Sequence, residues 1–245
     1  MKTTTTILLT GALTLFGASC GTNDIKTGHT VLLIDKTESI DTSEEHSPEE
    51  HLEKLKYTVK DYGLWDGIKF EVGTITHRKI SQTKSFELPP VYDPFEQIEI
   101  VRTAERDSFY SALLDELVAI ENSPQTALGT SLVSNLVFYA GRLQRSPAQD
   151  KYLIISSDMV QESSLLNMAA MYNVDEDAIE ERYPEIAKQL DDEYGIINGS
   201  GITVIISHKN NLEAEKRNGK MMNFWRRYLT ERGFAFIEDP YYGNI

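Results

Sequence analysis

Cysteine is nearly absent from this sequence: Cys20 is the single thiol among 245 residues. An internal disulfide is therefore excluded, and stability must come from a buried core. Basic residues are also scarce. Lys and Arg number 24 against 38 Asp and Glu, a formal charge of −14 at pH 7. That balance argues against a nucleic-acid partner, because phosphate backbones need a basic face. It favours solubility and a cationic or metal-bridged partner. There is no repeat at a solenoid period, and low complexity is confined to Thr3–Thr6. Neither a Gly-rich phosphate loop nor a Gly-x-Ser-x-Gly elbow is present, so nucleotide-binding and serine-hydrolase readings have nothing to rest on. The five histidines, His29, His46, His51, His77 and His208, show no metal-ligand spacing. His46 and His51 flank a helix start and read as solvated.

What is present suits a globular protein: 40% hydrophobic and 25% charged residues, with enough chain for one sizeable core. The N-terminus carries a processing signal. Lys2 precedes an apolar stretch, Ile7 to Ala18, that is short for a transmembrane span. It ends at Gly17-Ala18-Ser19-Cys20, small residues before a cleavage point. The segment resembles a bacterial lipoprotein signal, with Gly17 standing where Leu or another branched residue is usual. The resemblance implies a signal peptide over 1–19, acylation of Cys20, a tether over 20–28 and a domain over 29–245. Gly21 is not the Asp that marks inner-membrane retention, so the expected location is the cell envelope, with the outer membrane preferred. Plain secretion, with Cys20 incidental, is the alternative.

Strand and helix signals alternate along the rest of the chain. His29–Ile34, Tyr152–Ile155 and Ile202–Ile206 are short unbroken apolar runs, the pattern of strands buried on both faces. Ser47-Pro48-Glu49-Glu50 supplies an N-cap, a first-turn proline and a capping-box Glu for a helix over 48–63. Ile68–Thr76 and Lys79–Leu88 read as a hairpin. Phe109, Ala112, Leu113, Leu117 and Ile120 stripe one helix; Leu132, Leu136, Tyr139, Ala140 and Leu143 stripe the next. Residues 160–195 are acidic and helical with a break expected near Pro184, and the run Asp175–Glu193 reads as a solvated face. Met221, Phe224, Trp225, Tyr228 and Leu229 stripe a last helix that Gly233 ends. Lys216-Arg217 and Arg226-Arg227 would lie on its exposed face, and Phe234–Ile237 would form a final strand. The expected fold is α/β: a doubly wound, mainly parallel sheet, helices on both faces, one antiparallel edge strand.

Three polar features fall where such a sheet places a ligand, beyond the C-terminal ends of its strands. Asp35-Lys36-Thr37-Glu38-Ser39 follows the first strand and offers a carboxylate and two hydroxyls on alternate residues. Gly129-Thr130 opens a helix and adds a third hydroxyl. Asp158 follows Tyr152–Ile155. Carboxylate and hydroxyl oxygens are hard donors suited to Mg²⁺, or to Mn²⁺ or Ca²⁺.

Asp35-x-Thr37-x-Ser39, then Thr130, then Asp158, is similar to the metal-ion-dependent adhesion site (MIDAS) of von Willebrand factor A (vWA) domains. The resemblance, over about residues 29–240, implies Thr37 and Ser39 as direct ligands and Thr130 as direct or water-bridged. It implies Asp35 and Asp158 as charge acting mainly through water. Thr37 replaces the more usual Ser, keeping the hydroxyl. Met159 follows Asp158 where many members have Gly, which would make the rim more apolar. The implied function is a binding module, not an enzyme, that captures an acidic residue of a protein ligand across the metal.

Asp35-Lys36-Thr37 also resembles the nucleophile motif of haloacid-dehalogenase-type phosphotransferases, with Asp158 and Glu162 as its later acidic motif. Thr37 replaces the Asp of the common phosphatases there, and Glu38-Ser39 replaces the Gly-Thr of the ion-pump form.

Overall fold

The computed structural model describes residues 24–36, 46–75, 80, 82–93, 98–124, 131–159, 176–207 and 212–238. Among these residues six strands form one sheet: β1 (Thr27–Asp35), β2 (Gly67–Ile75), β3 (Lys84–Leu88), β4 (Asp150–Ser156), β5 (Thr203–Ser207) and β6 (Ala235–Glu238). Their order is β3-β2-β1-β4-β5-β6, with all neighbours parallel except β2 and β3. The expected α/β sheet with one antiparallel edge strand is therefore present. β1 starts at Thr27, just ahead of the expected boundary at His29.

Among the described residues five helices cover the two faces: α1 (Pro48–Tyr57), α2 (Glu99–Glu121), α3 (Leu132–Gln144), α4 (Glu176–Tyr194) and α5 (Leu212–Glu231). Successive strand residues face opposite ways, so β1 sends Leu32 and Ile34 toward one core and Val31 and Leu33 toward another. The first core joins Leu32, Ile34, Phe70, Val72 and Ile154 to Leu52 and Leu55 of α1 and Phe109, Leu113 and Leu117 of α2. The second joins Val31, Leu33, Leu153, Ile155, Val204 and Ile206 to α3, α4 and α5. Burial on both faces explains why these strands read as unbroken apolar runs.

Local signals match most boundaries. Ser47 Oγ accepts from the Glu50 amide at 3.2 Å, and the Glu50 carboxylate accepts from the Ser47 amide at 2.7 Å. This is the anticipated capping box. The helix it starts is shorter than expected, ending at Tyr57 and passing into turns. Gly233, at φ 86°, follows the end of α5 as expected. α2 begins well before its apolar stripe, at Glu99. Buried Arg102 anchors that early turn, donating to the carbonyls of Leu64 (3.0 Å), Asp66 (3.1 Å) and Pro89 (2.7 Å).

The expected break at Pro184 is corrected: α4 runs continuously through it. Pro184 lies on the solvent face, where the carbonyl it leaves unpaired can take water. On the opposite face Ile179, Tyr183, Ile186, Ala187 and Leu190 are all buried and hold the helix together through the fault. The acidic run is also less uniformly solvated than expected. Asp191 accepts a two-point contact from Arg232 (3.0 and 2.6 Å) and a hydrogen bond from Tyr228 (2.9 Å). Glu180 pairs with exposed Arg227 of α5.

Candidate metal site at the strand switch

The chain leaves β1 for β2 on one side, and β1's other neighbour is β4. The winding sense reverses between β1 and β4, and their C-terminal ends open the crevice where doubly wound sheets bind ligands. Asp35 ends β1 and Ser156 ends β4, next to it in register through Ile34↔Ser156. Two of the candidate residues, Asp35 and Asp158, thus come to one crevice. Thr37, Ser39 and Thr130 lie outside the described residues, as do Cys20, Glu162, His77 and His208.

Asp35 is 1% exposed, and its position is fixed by a residue that sequence reasoning passed over. Ser157 Oγ donates to Asp35 Oδ2 at 2.7 Å and accepts from the Met159 amide at 3.0 Å. The Ser157 amide in turn donates to the Ser207 carbonyl of β5 at 3.2 Å. Asp158 is half-buried, held between two residues that are locked in place. Lys36 points to the other face, where its Nζ donates to the Glu121 carbonyl at the end of α2 (3.3 Å). A cation suits the negative end of a helix.

Met159 corrects an expectation. It is not a rim residue: its side chain is fully buried in the core with α3 and α4, and its carbonyl accepts from Trp225 Nε1 at 2.8 Å. Its φ is 62°, the one positive value at a non-glycine among the described residues. The left-handed backbone that glycine adopts freely is imposed here on a methionine. A chain of hydrogen bonds results, from the Trp225 indole through Met159 and Ser157 to the Asp35 carboxylate.

A basic group adjoins the crevice from the α1 side. Lys54, 2% exposed, donates to His46 Nε2 at 2.9 Å and to Ser207 Oγ. His46 Nε2 also lies 2.9 Å from Ser207 Oγ, and its Nδ1 is 3.4 Å from the Glu50 carboxylate. The expectation that His46 and His51 are solvated is therefore corrected. His46 is largely covered, and His51 is 4% exposed and packs edge-on against the His46 ring. Burial, then the neighbouring His46, Lys54 and Lys36, hold the His51 imidazole well below the usual histidine range, so it is neutral at pH 7. The signal was available: His51 lies four residues before Leu55 and three after Pro48, on the inward stripe of α1.

Among the described residues no three His, Cys, Asp or Glu side chains converge on one point. An imidazole or thiolate metal centre therefore has no basis among them. Two carboxylates at one crevice fit a hard, oxygen-preferring divalent ion.

No protein-family model matches the sequence, and no curated protein matches it. Solved structures do show similarity. A D319A mutant of the PilB minor pilin from Streptococcus sanguinis aligns over 87% of this chain and 57% of its own, at 10% identity and TM-score 0.47. An aerotolerance-related membrane protein from Bacteroides fragilis aligns over 87% of this chain and 90% of its own, at 10% identity and TM-score 0.40. The mussel byssus protein PTMP1, with a zinc-occupied MIDAS motif, aligns over 88% and 42%, at 14% identity and TM-score 0.35. The chain thus spans little more than half of the pilin's length. At these values the similarities carry no argument about what this chain binds.

Proposed function

We propose that this chain is a membrane-tethered vWA-type binding module, acylated at Cys20, that captures an acidic group of a protein ligand through a divalent cation. The observation that carries the reading is the meeting of Asp35 with Ser157-Asp158 at the β1/β4 crevice. Thr37, Ser39 and Thr130 would supply hydroxyl ligands, with Asp35 and Asp158 as the negative charge around them. When bound, Mg²⁺ would act as a Lewis acid whose remaining positions accept a carboxylate. This chain's own contribution is orientation. Ser157 holds the Asp35 carboxylate by one oxygen, and the backbone of Met159, tied to α5, fixes where Asp158 starts.

Placement supports the tethered geometry. β1 has nine residues, which sets Asp35 about 26 Å from the strand's start at ~3.3 Å per residue. The metal site would therefore stand at the end of the domain away from a Cys20 anchor. No helix of the described residues is long and apolar enough to cross a membrane. The burial of Asp35 weighs against the phosphotransferase reading, in which this carboxylate must reach a phosphorus atom in line.

Titration of the purified chain with Mg²⁺ and Mn²⁺ tests the metal. Saturable binding that disappears in an Asp35→Ala/Asp158→Ala double variant is expected. Binding that is absent, or unchanged in that variant, would overturn the proposal. Turnover of a phosphomonoester lost on Asp35→Asn would instead establish the enzymatic reading. Mass spectrometry of membrane-extracted protein, with Cys20→Ser as control, checks the anchor.

A further inference from the structure

Midway along β2 lies a second polar centre that the metal site does not use. On the α3 side of β2, Glu71 is fully buried. Its Oε1 accepts from His29 Nε2 at 3.0 Å and pairs with Lys69 Nζ at 3.3 Å; its Oε2 pairs with Arg142 Nε at 3.1 Å and accepts from Thr83 Oγ1 at 3.0 Å. Above this group opens a cavity of about 480 Å³ at the N-terminal ends of β1 and β2. Lys69, Arg142, Arg145 and His29 line it, with Leu88 and Pro90 as an apolar wall and Glu87 as the single carboxylate of its lining. The volume suits a small organic ligand.

The charge balance of this cavity is unusual for a protein of −14. Three permanent cations meet one carboxylate on the wall and one beneath it. Glu71 pairs with Arg142 through Nε at 3.1 Å, and among the described residues the Arg145 guanidinium forms no ion pair. His29 Nδ1 is buried there without a hydrogen bond. The end of α3 accounts for one favourable arginine through its negative pole. Lys69 and His29, arriving from two strands, share the one Glu71 carboxylate with Arg142, so the cations outnumber it.

We infer that this cavity is a binding site for a phosphate group, gripped by the Arg142 and Arg145 guanidinium forks with Lys69 as an additional charge. Guanidinium pairs match phosphate oxygens two at a time. Two sources share this chemistry, a soluble phosphate ester and a phospholipid headgroup. The second follows from the proposed function, since seven residues from Cys20 to Thr27 reach at most about 25 Å and hold this end against the membrane.

The full chain is titrated by calorimetry with inorganic phosphate and glycerol 3-phosphate, in EDTA so that failure of the metal reading cannot interfere. It is also sedimented with phosphatidylglycerol and phosphatidylcholine vesicles. Saturable binding is expected, weakened about tenfold or more in Arg145→Gln. The Arg145 side chain makes no hydrogen bond among the described residues, and its backbone amide, which donates to the Leu143 carbonyl at the end of α3, is kept in Arg145→Gln, so the fold stays intact, which a melting curve verifies. Lys188→Gln, the same charge change at a distant exposed site, should leave binding unchanged. Retention by phosphatidylglycerol vesicles that Arg145→Gln abolishes assigns the phosphate to lipid; binding of glycerol 3-phosphate without vesicle retention assigns it to a soluble ester. Absence of binding to every probe, or equal loss in Arg145→Gln and Lys188→Gln, overturns the inference.

Discussion

Replacing Met159 with glycine and with alanine separates two effects that usually run together. Both substitutions remove the same buried side chain, and truncating a core Met costs about 2–5 kcal/mol. They differ in the backbone. At φ 62° alanine retains the steric penalty of the left-handed region, roughly 1–2 kcal/mol, which glycine escapes. Against this, glycine gives the unfolded chain more freedom, worth about 0.4–1 kcal/mol. The difference, between about 0 and 1.6 kcal/mol and ~0.8 at the midpoints, leaves Met159→Gly more stable than Met159→Ala, the reverse of the order at an ordinary helix or strand position. Both should be less stable than the parent, because lost burial exceeds relieved strain. Urea denaturation of the three proteins reads the order directly, and in thermal melts the gap is a few degrees at this chain length. If Met159→Ala proves the more stable variant, the backbone beside Asp158 is not strained and the account of how the crevice is held falls.

Three further outcomes follow from other parts of the molecule. Burial alone would raise the Glu71 carboxyl, but the hydrogen bond and charge of His29, the Arg142 charge and the Thr83 hydrogen bond together bring it from 4.5 down to about 2. A depressed folded value stabilises above the unfolded one, so this contribution, on the order of 3 kcal/mol, is complete above pH 4.5 and lost as pH falls toward 2. Unfolding free energies from pH 5 to pH 2 should fall more steeply in the parent than in Glu71→Gln, and equal slopes would refute the assignment. Pro184→Ala restores an amide hydrogen bond within α4 and should stabilise by about 1–3 kcal/mol, seen as a raised urea midpoint. Arg102→Ala should cost about 3 kcal/mol or more, because it leaves the Leu64, Asp66 and Pro89 carbonyls without their shared donor; a change below 1 kcal/mol would show that water replaces it.

Much of the fold is legible along the chain because its signals are local. The capping box at Ser47 and Glu50, the glycine after α5 and the apolar runs of β1, β4 and β5 each depend on near neighbours in sequence. Misreadings arose where a distant partner decides. Pro184 reads as a break until the buried stripe beneath it is known. Asp191 reads as a solvated acid until Arg232 and Tyr228 reach it. Met159 reads as a rim residue until Trp225, 66 positions away, takes its carbonyl.

The same division runs through the candidate site. The sequence by itself determined that an aspartate ends one buried strand and another follows a second, because hydrophobic runs and the polar residues after them are a one-dimensional record. Only the tertiary structure decided that these strands are neighbours at the reversal of winding, and that Ser157 grips Asp35. It also decided that cations gather around Glu71, midway along β2, beside the cavity at the strands' opposite ends. Side-chain partners lying 42 and 122 positions apart are selected by strand order and register, which no local pattern encodes.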